Sequence, residues 1–314
     1  MSATPPGPRP YDGLTPDTVL DALQEVGLRG DGRLLALNSY ENRVYQVFLE
    51  DGTHVVTKFY RPQRWSDAQI LEEHGFSLEL AGREIPVVAP IALQGKTLHR
   101  FAGFRFAAFP RRGGRPPELE DQAVLEWIGR FLGRIHAVGA ARPFRERPAL
   151  DLETFGAEPR DWLLASGMIP EELKDVWITT VDLALQDVKT HWNQVKPALI
   201  RLHGDCHAGN ILWTDRGPHF VDLDDARMGP AVQDLWMLLA GYEQFHEFRR
   251  DELRLIEPLR TLRLLHYSYW LARRWEDPAF PAAFPWFGTP RYWQDRILEL
   301  REQSAAMHED PLAA

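Results

Sequence analysis

The stretch RLHGDCHAGNILW, residues 201–213, places two histidines, an aspartate, the only cysteine of the chain and an asparagine between two apolar runs. Four interpretations compete: a plain polar turn between strands, the opening of a phosphoesterase site, the catalytic loop of a kinase, or a metal site. The metal site would use His203, Asp205, Cys206 and His207. No single polar residue decides among these interpretations. The decision depends on whether the rest of the chain contains the further residues that each kind of site requires.

Composition limits the classes of protein that fit. The chain has 314 residues, of which 44% are hydrophobic, which is enough for a sizeable core in about two lobes. A net charge of -9 argues against a nucleic-acid partner. No apolar run is long enough for a membrane span, and the first residues lack the apolar segment of a signal peptide. With a single cysteine, these features predict a cytoplasmic protein with no membrane partner, and we expect a monomer.

The first 110 residues follow the pattern of an antiparallel sheet with one main helix. After a predicted helix at 15–27, short runs rich in β-branched and aromatic residues predict strands. Asp51 and Gly52 mark a hairpin turn, and Ser66 with Gln69 has the spacing of a capping box. The predicted strands lie within 33–37, 43–60 and 104–110, and the main helix covers 66–82.

Past a stretch rich in Gly, Pro and Arg, the pattern becomes mostly helical. The predicted helices cover 121–139, 170–192 and 231–245, and an aromatic segment at 275–288 reads as an irregular packed loop. We therefore predict an α+β, bilobal fold. Its parts are a Pro-rich leader (1–13), an N-terminal lobe (14–109), a linker (110–117) and a larger, mostly helical C-terminal lobe (118–314).

The strands around the opening stretch bring oxygen ligands together. Two runs, NILWT and HFVDL, are joined by the turn DRGP and should form a hairpin, which would return Asp222 to Asn210. Asp205, Asn210 and Asp222 would then form an oxygen cluster of the kind that Mg²⁺ prefers. Zinc is disfavoured because adjacent Cys206 and His207 cannot easily converge. The further clusters that a binuclear phosphoesterase needs do not follow.

A kinase also needs a lysine on an N-terminal strand and a glutamate on the next helix. Lys58 shares a strand face with Val56 and Tyr60, where a lysine is costly without an anionic partner. Glu73 lies on the apolar stripe of the helix and is the preferred partner of Lys58; Glu72 is the alternative.

The phosphate-covering turn is less distinctive. The stretch LNSYENRVYQV has no glycine, but the backbone amides of the Ser39–Arg43 turn, which includes Asn42, could bind the phosphates of ATP with help from the Ser39 hydroxyl. A plain hairpin turn would look much the same. No Walker A sequence is present, which removes the P-loop ATPases from consideration.

Taken together, HGDCHAGN, FVDLDDA and QDLW resemble the aminoglycoside phosphotransferase and choline kinase superfamily, whose fold resembles that of eukaryotic protein kinases. Longer stretches, among them LNSYENRVYQ, KFYRPQRWSDAQILEEH and PAFPAAFPW, resemble a bacterial group of stress-response serine/threonine protein kinases within it. The resemblance runs from about Leu14 to about Trp293.

The resemblance implies a role for each matching residue. Asp205 would be the catalytic base, Asn210 and Asp222 the magnesium ligands, Lys58 the α/β-phosphate lysine, and Ser39 a residue at the ATP phosphates. Asp234 and His203 would hold the catalytic loop, Asp224 and Asp225 could assist a second metal or the acceptor or form a charged turn, and His207 has no derived role.

One departure concerns the acceptor. Twelve residues separate Asp222 from Asp234, which leaves no room for a long activation segment. The architecture alone favours a small-molecule kinase acting on an amino alcohol, a homoserine-like or an aminoglycoside-like acceptor. The closer resemblance favours a protein substrate with Ser or Thr hydroxyls. A non-catalytic nucleotide-binding module is the third interpretation.

Overall fold

The computed structural model describes residues 9–235 and 241–309. The chain forms two compact units. Unit 1 combines the chain up to Leu119 with 207–224, and unit 2 combines 120–206 with the chain from Asp225 onward. The first boundary lies two residues beyond the predicted linker. The division differs from the predicted lobes in one respect, because 207–224 clusters with the N-terminal part of the chain.

The helices and strands follow in chain order. Those up to residue 140 are α1 (Pro16–Glu25), β1 (Gly30–Leu37), β2 (Arg43–Leu49), β3 (His54–Phe59), α2 (Asp67–Gly82), β4 (His99–Phe101), β5 (Phe104–Pro110) and α3 (Gln122–Ala140). Those beyond it are α4 (Glu158–Ser166), α5 (Glu171–Val195), β6 (Ile200–Leu202), β7 (Ile211–Thr214), β8 (Gly217–Phe220), β9 (Arg227–Gly229), α6 (Val232–Leu235), α7 (Ile256–Ala272), α8 (Ala279–Ala283) and α9 (Pro290–Met307).

The antiparallel sheet of unit 1 is sandwiched between two helices. Its strand order is β1-β2-β3-β5-β4. Successive side chains of β3 point to opposite faces, so Val55 and Phe59 pack with the buried residues of α1. Tyr60 packs instead with Ile70 of α2. The face that carries Tyr60 is also that of Lys58, and β3 therefore aims this lysine at the side of the sheet that α2 covers.

Capping side chains mark the starts of these two helices, although α1 ends at Glu25 and not at the predicted residue 27. The hydroxyl of Thr15 accepts from the N–H of Thr18 at the start of α1. At the start of α2, the Ser66 side chain accepts from the Gln69 backbone and the Gln69 side chain accepts from the Ser66 backbone, so the capping box is confirmed. The sequence did not predict β4, because three residues are too few to show a strand period.

The β7–β8 hairpin belongs to unit 1 because its backbone bonds to that unit. Phe220 donates to the carbonyl of Pro86 (2.7 Å) and accepts from Val88 (2.9 Å). Arg115 and Trp213 exchange two further backbone hydrogen bonds of 3.0 and 2.7 Å. These contacts, separated by over 90 residues of sequence, explain why the predicted contiguous lobes and the observed units differ.

Unit 2 is built around a helical core. Buried side chains of α4, α5, α7 and α9 form one cluster that includes Trp177 and Trp293, and Phe280 and Phe287 of the segment 275–288 join it. That segment was predicted as an irregular packed loop; it packs as predicted but contains α8. No helix among residues 9–235 and 241–309 is both long and apolar enough to cross a membrane.

The prediction of one helix over 231–245 is wrong. Residues 236–240 lie outside the described residues, but Gly241 has a φ of +76°, which a continuous α-helix does not allow. A Cβ on Gly241 would lie 2.5 Å from the carbonyl oxygen of Glu126, so only glycine fits there. After it, Tyr242–Gln244 forms a single 3₁₀ turn.

A chain of buried hydrogen bonds in unit 2 supports the loop that follows β6. Asp234 accepts from the backbone N–H groups of His203 (2.8 Å) and Gly204 (3.0 Å), which confirms the predicted role of this aspartate. Its carboxylate also bonds Nε2 of His136 (3.1 Å), and Nδ1 of His136 bonds the hydroxyl of Tyr242 (2.7 Å). Burial opposes the charge of Asp234, but His136 and His203 hold its pKa below the usual value.

The close packing of α3 on β6 predicts that Gly139→Ala destabilises the fold. A Cβ on Gly139 would lie 2.2 Å from the carbonyl oxygen of Arg201, and backbone cannot move aside as a side-chain tip can. We expect the free energy of unfolding, measured in denaturant, to fall by about 1 to 3 kcal/mol. Gly75→Ala is the matched control, since Gly75 is an exposed helix glycine with nothing near its Cβ position. This substitution should raise the free energy of unfolding by about 0.5 to 1 kcal/mol. Equal effects of the two substitutions would contradict the packing argument.

Asp234→Ala should be more damaging than its size suggests. The substitution leaves two buried N–H groups and the ring of His136 without their carboxylate, and each buried polar group left unsatisfied costs about 1 to 3 kcal/mol. Because the pKa of Asp234 is lowered in the folded protein, its contribution is complete above about pH 4 and is lost as the pH falls towards the folded-state pKa. Unfolding of the variant at pH 7 measures the effect. Tyr242→Phe, which removes one hydroxyl at the end of the chain, should cost only about 1 kcal/mol.

Candidate active site

A buried lysine and a half-exposed aspartate form the centre of the candidate site in unit 1. Nζ of Lys58 donates to Oδ1 of Asp222 at 2.6 Å, across 164 residues of sequence. The side chain of Lys58 is 10% exposed and that of Asp222 51%. Asp222 has a φ of +60°, an uncommon conformation for a residue other than glycine. The carboxylate is thus held against the lysine at the end of β8 while half of it faces solvent.

Three carboxylates set the charge state of Lys58. Burial, the largest single effect, lowers the pKa of Lys58, but Asp222, Asp224 and Glu73 together raise it above the usual value. The lysine is therefore fully charged at neutral pH.

Glu73 faces inward on α2, as predicted, whereas Glu72 is only half-buried. The expected direct ion pair between Lys58 and Glu73 is replaced by the pair with Asp222. The Glu73 carboxylate instead accepts from the Ser77 hydroxyl (3.1 Å) and lies 3.7 Å from the ring of His74. Glu73 therefore acts on Lys58 through its charge over a longer distance.

Asp224 is a buried clamp on the predicted phosphate-covering turn. Its carboxylate accepts from Nδ2 of Asn42 (3.1 Å) and from the guanidinium of Arg64. Oδ1 of Asn42 accepts in turn from the backbone N–H of Arg61 (3.1 Å). These bonds use both the amide nitrogen and the amide oxygen of Asn42. The bond to Asp224 links the turn to the segment that follows β8.

The turn itself is closed by its own side chains. The Ser39 hydroxyl donates to the carbonyl of Asn42 (2.9 Å). Tyr11, which precedes α1, donates its hydroxyl to the carbonyl of Glu41 (2.8 Å), and the guanidinium of Arg43 lies 4.3 Å from the centre of the Tyr11 ring. This turn thus keeps its shape without the glycines that such loops usually carry.

The β7–β8 hairpin returns the chain to Asn210 as the sequence predicted. The backbone N–H of Val221, the residue before Asp222, donates to the carbonyl of Asn210 at 3.0 Å. His207, for which the sequence indicated no role, caps the turn before β7, where its Nδ1 accepts from the N–H of Gly209 (3.0 Å).

Asp205 lies in unit 2, on the loop that Asp234 supports. Its carboxylate forms an ion pair with Arg263 of α7, and its side chain is 28% exposed. Gly204 has a φ of +86° and passes so close to the carbonyl of Asp225 that a Cβ would lie 2.1 Å away. Asp225 pairs with Arg227 (2.7 Å).

The donor atoms of the loop fit a hard cation better than zinc. Burial, with Asp234 and Asp205, raises the pKa of the Cys206 thiol well above its usual value, which disfavours the thiolate that zinc requires. His203 is fully buried in the support of the loop. Within the described ranges, no three His, Cys, Asp or Glu side chains are grouped as metal ligands. The side-chain amide of Asn210 and the carboxylate of Asp222 provide oxygen atoms, the donors that Mg²⁺ prefers.

Sequence reasoning missed several residues around these groups. Each of them acts through a partner that is distant in sequence and has no motif of its own. They are Tyr11, Arg64, His136, Tyr242 and Arg263. Periodicity would have placed His136 on the buried face of α3, but not the hydroxyl and the carboxylate at its two nitrogens.

The chain is similar to known proteins both in sequence and in fold. Residues 33–265 match the model of the phosphotransferase enzyme family. Stress response kinase A of Escherichia coli (strain K12) is 49% identical and serine/threonine protein kinase RdoA of Salmonella typhimurium 48% identical, each over 96% of both chains. The solved structure of amicoumacin kinase hAmiN, in complex with AMP-PNP and Ca²⁺, has a TM-score of 0.71 at 19% identity, covering 93% of this chain and 94% of that one. The predicted superfamily and fold class are thereby confirmed: this chain belongs to the phosphotransferase enzyme family and is a kinase.

Proposed function

We propose that this kinase is an ATP- and Mg²⁺-dependent serine/threonine protein kinase, which transfers the γ-phosphoryl group of ATP to Ser or Thr hydroxyls of a protein. The observation that carries the catalytic part is the buried Lys58 bound to Asp222 at 2.6 Å. A relative that is 48% identical over 96% of this chain is named a serine/threonine protein kinase, which supports a protein acceptor. We also propose that the protein is monomeric and cytoplasmic.

The nucleotide would be bound by residues of unit 1. Lys58 is charged and partly dry, so its ammonium can meet the α- and β-phosphates without giving up much hydration. Backbone amides of the Ser39–Arg43 turn, whose shape Asn42 and Ser39 maintain, would cover the phosphates. Glu73 would keep Lys58 charged.

Asn210 and Asp222 would hold Mg²⁺, since both supply oxygen atoms and the hairpin bonds Val221, the neighbour of Asp222, to Asn210. When bound, the ion would neutralise charge on the phosphate oxygens. To contact the phosphates, the ammonium of Lys58 would have to move partly away from the Asp222 carboxylate. The half-exposed position of Asp222 permits this movement.

Asp205 would act on the acceptor. Its carboxylate would orient the Ser or Thr hydroxyl and take its proton while the hydroxyl oxygen forms a bond to the γ-phosphorus. The bond from the γ-phosphorus to the β,γ-bridging oxygen breaks, and ADP leaves. Asp234, by holding the N–H groups of His203 and Gly204, would keep this loop fixed during transfer.

Nucleotide binding should require Lys58. Without the ammonium, Asp222, Asp224 and Glu73 leave unit 1 with carboxylates that repel a triphosphate. Lys58→Ala should therefore weaken ATP binding, measured by calorimetric titration, by at least about tenfold, while the far-UV circular dichroism stays that of the native protein. Lys96→Ala, at an exposed lysine of the same unit, is the matched control. Native affinity in the Lys58 variant would remove this lysine from the site.

The acceptor is tested by incubation with labelled ATP and Mg²⁺, in parallel with casein, with myelin basic protein and with a panel of amino alcohols. Label on protein supports the proposal; label on an amino alcohol alone supports the small-molecule kinase that the short segment after Asp222 would suit. ATP binding without transfer to any acceptor would indicate a binding module.

Asp205→Asn separates catalysis from binding in the same assay. The amide keeps the size of the carboxylate but cannot take the proton, and general-base groups contribute about 10² to 10⁴ in rate. We expect transfer to fall at least about a hundredfold while ATP affinity changes by less than about threefold. Transfer at the native rate would show that Asp205 is not the base.

A further inference from the structure

An exposed arginine engages the carboxylate that the proposed function assigns to the acceptor. Arg263, on α7, donates from its guanidinium to Oδ1 of Asp205. The Arg263 side chain is 51% exposed and that of Asp205 28%. Ion pairs this open to solvent contribute little to stability, so Arg263 can exchange its partner at small cost.

Arg263 has the donors for a second carboxylate. A guanidinium carries five N–H groups in a planar fork that suits bidentate binding of a carboxylate. Among residues 9–235 and 241–309, the hydrogen bonds of the Arg263 side chain go to Asp205 alone. Because the Arg263 side chain is 51% exposed, a ligand can reach the donors that this bond does not use.

The same face of α7 continues as an aromatic surface. Arg263, Tyr267 and Trp270 follow at the i, i+4 and i+7 spacing that places side chains on one face of a helix. The rings of Tyr267 and Trp270 are stacked, with centres 5.7 Å apart, and Trp270 contacts Phe284 at 5.8 Å. Phe284 contacts Trp286 at 5.9 Å. Tyr267 is 36% and Trp286 45% exposed. We call Arg263, Tyr267, Trp270 and Trp286 the α7 surface.

The length of the α7 surface suits a polypeptide. Seven residues of helix separate Arg263 from Trp270, a rise of about 10 Å. An extended peptide covers that distance with about three residues. A small amino alcohol at Asp205 would leave the aromatic part of the surface uncovered.

We propose that the α7 surface binds the acceptor polypeptide, with Arg263 recognising a carboxylate beside the accepting hydroxyl and the aromatic rings contacting an apolar side chain three or more residues away. This inference rests on the proposed function. The acceptor carboxylate takes over Arg263, and Asp205 is thereby released to receive the proton of the hydroxyl. Binding in this way therefore requires an acidic side chain in the acceptor, which a simple amino alcohol lacks.

The alternative role for Arg263 is contact with the transferring phosphoryl group. Arg263 lies on the same face of α7 as Tyr267, whose exposed ring is joined through Trp270 and Phe284 to the exposed ring of Trp286. That continuity favours the acceptor.

The test is a charge exchange between enzyme and peptide. Two synthetic Ser peptides differ only in having Glu or Lys beside the serine, and kcat/KM is measured for both with the native enzyme, Arg263→Glu and Arg301→Glu. Arg301 is an exposed arginine of α9 and serves as the control. We expect the native enzyme and the control to prefer the Glu peptide and Arg263→Glu to prefer the Lys peptide, with the ratio changing about tenfold or more.

Partial misfolding of a variant would lower kcat/KM for both peptides alike. The ratio of the two kcat/KM values therefore controls for it. An equal loss of kcat/KM for both peptides in Arg263→Glu would place Arg263 at the phosphoryl group or at Asp205 alone, and would overturn the inference while leaving the proposed function intact. If the native enzyme labels neither peptides nor proteins, both proposals fall.

The aromatic part is tested with Trp286→Ala and a second peptide pair that has Phe or Ala four residues from the serine. We expect KM for the Phe peptide to rise about fivefold or more and KM for the Ala peptide to stay within about twofold. Anisotropy of the fluorescently labelled peptides gives the same comparison without turnover. Equal KM values for the two peptides in the native enzyme would overturn the aromatic contact.

Discussion

Unit 1 depends on the burial of one ammonium group. Lys58 lies on an apolar strand face between the sheet and α2, where a charge is tolerated only with anionic partners. Asp222, Asp224 and Glu73 supply them from two distant parts of the chain, and the β7–β8 hairpin brings the first two to the sheet. The requirement to neutralise one lysine therefore couples the sheet, α2 and the hairpin.

The same cluster explains why Asp224 differs from Asp222 although both follow β8. Asp224 is buried and held by Asn42 and Arg64, whereas Asp222 is half exposed and held by Lys58 alone among the described residues. Asp224 thus contributes to the structure of the turn, while the half-exposed carboxylate of Asp222 is accessible to a ligand. Asp224 was predicted to assist a second metal or the acceptor or to form a charged turn; the structure shows it buried and bonded to the turn through Asn42.

Much of this could be predicted from the sequence because it depends on local rules. Strand alternation placed Lys58 with Tyr60, the capping box placed the start of α2, and a two-strand hairpin returned the chain to Asn210. The partners that were missed obey no local rule: Asn42 and Asp224 are 182 residues apart. The direct partner of Lys58 was predicted as Glu73 because that residue lies on the nearest helix, but the bond to Asp222 depends on backbone pairing between segments that no periodicity reveals.

The short path from Asp222 to Asp234 bears on how an acceptor can be bound. Within those twelve residues the chain forms β9, which pairs with β6, and then enters α6. Asp225 pairs with Arg227 in the same stretch, so most of it is committed to the fold of unit 2. A flexible activation segment that could itself bind a polypeptide is therefore replaced by fixed structure. For the protein acceptor that we propose, the candidate binding elements are then helices and the segment 275–288, and α7 is the helix among them that carries Arg263, the partner of Asp205.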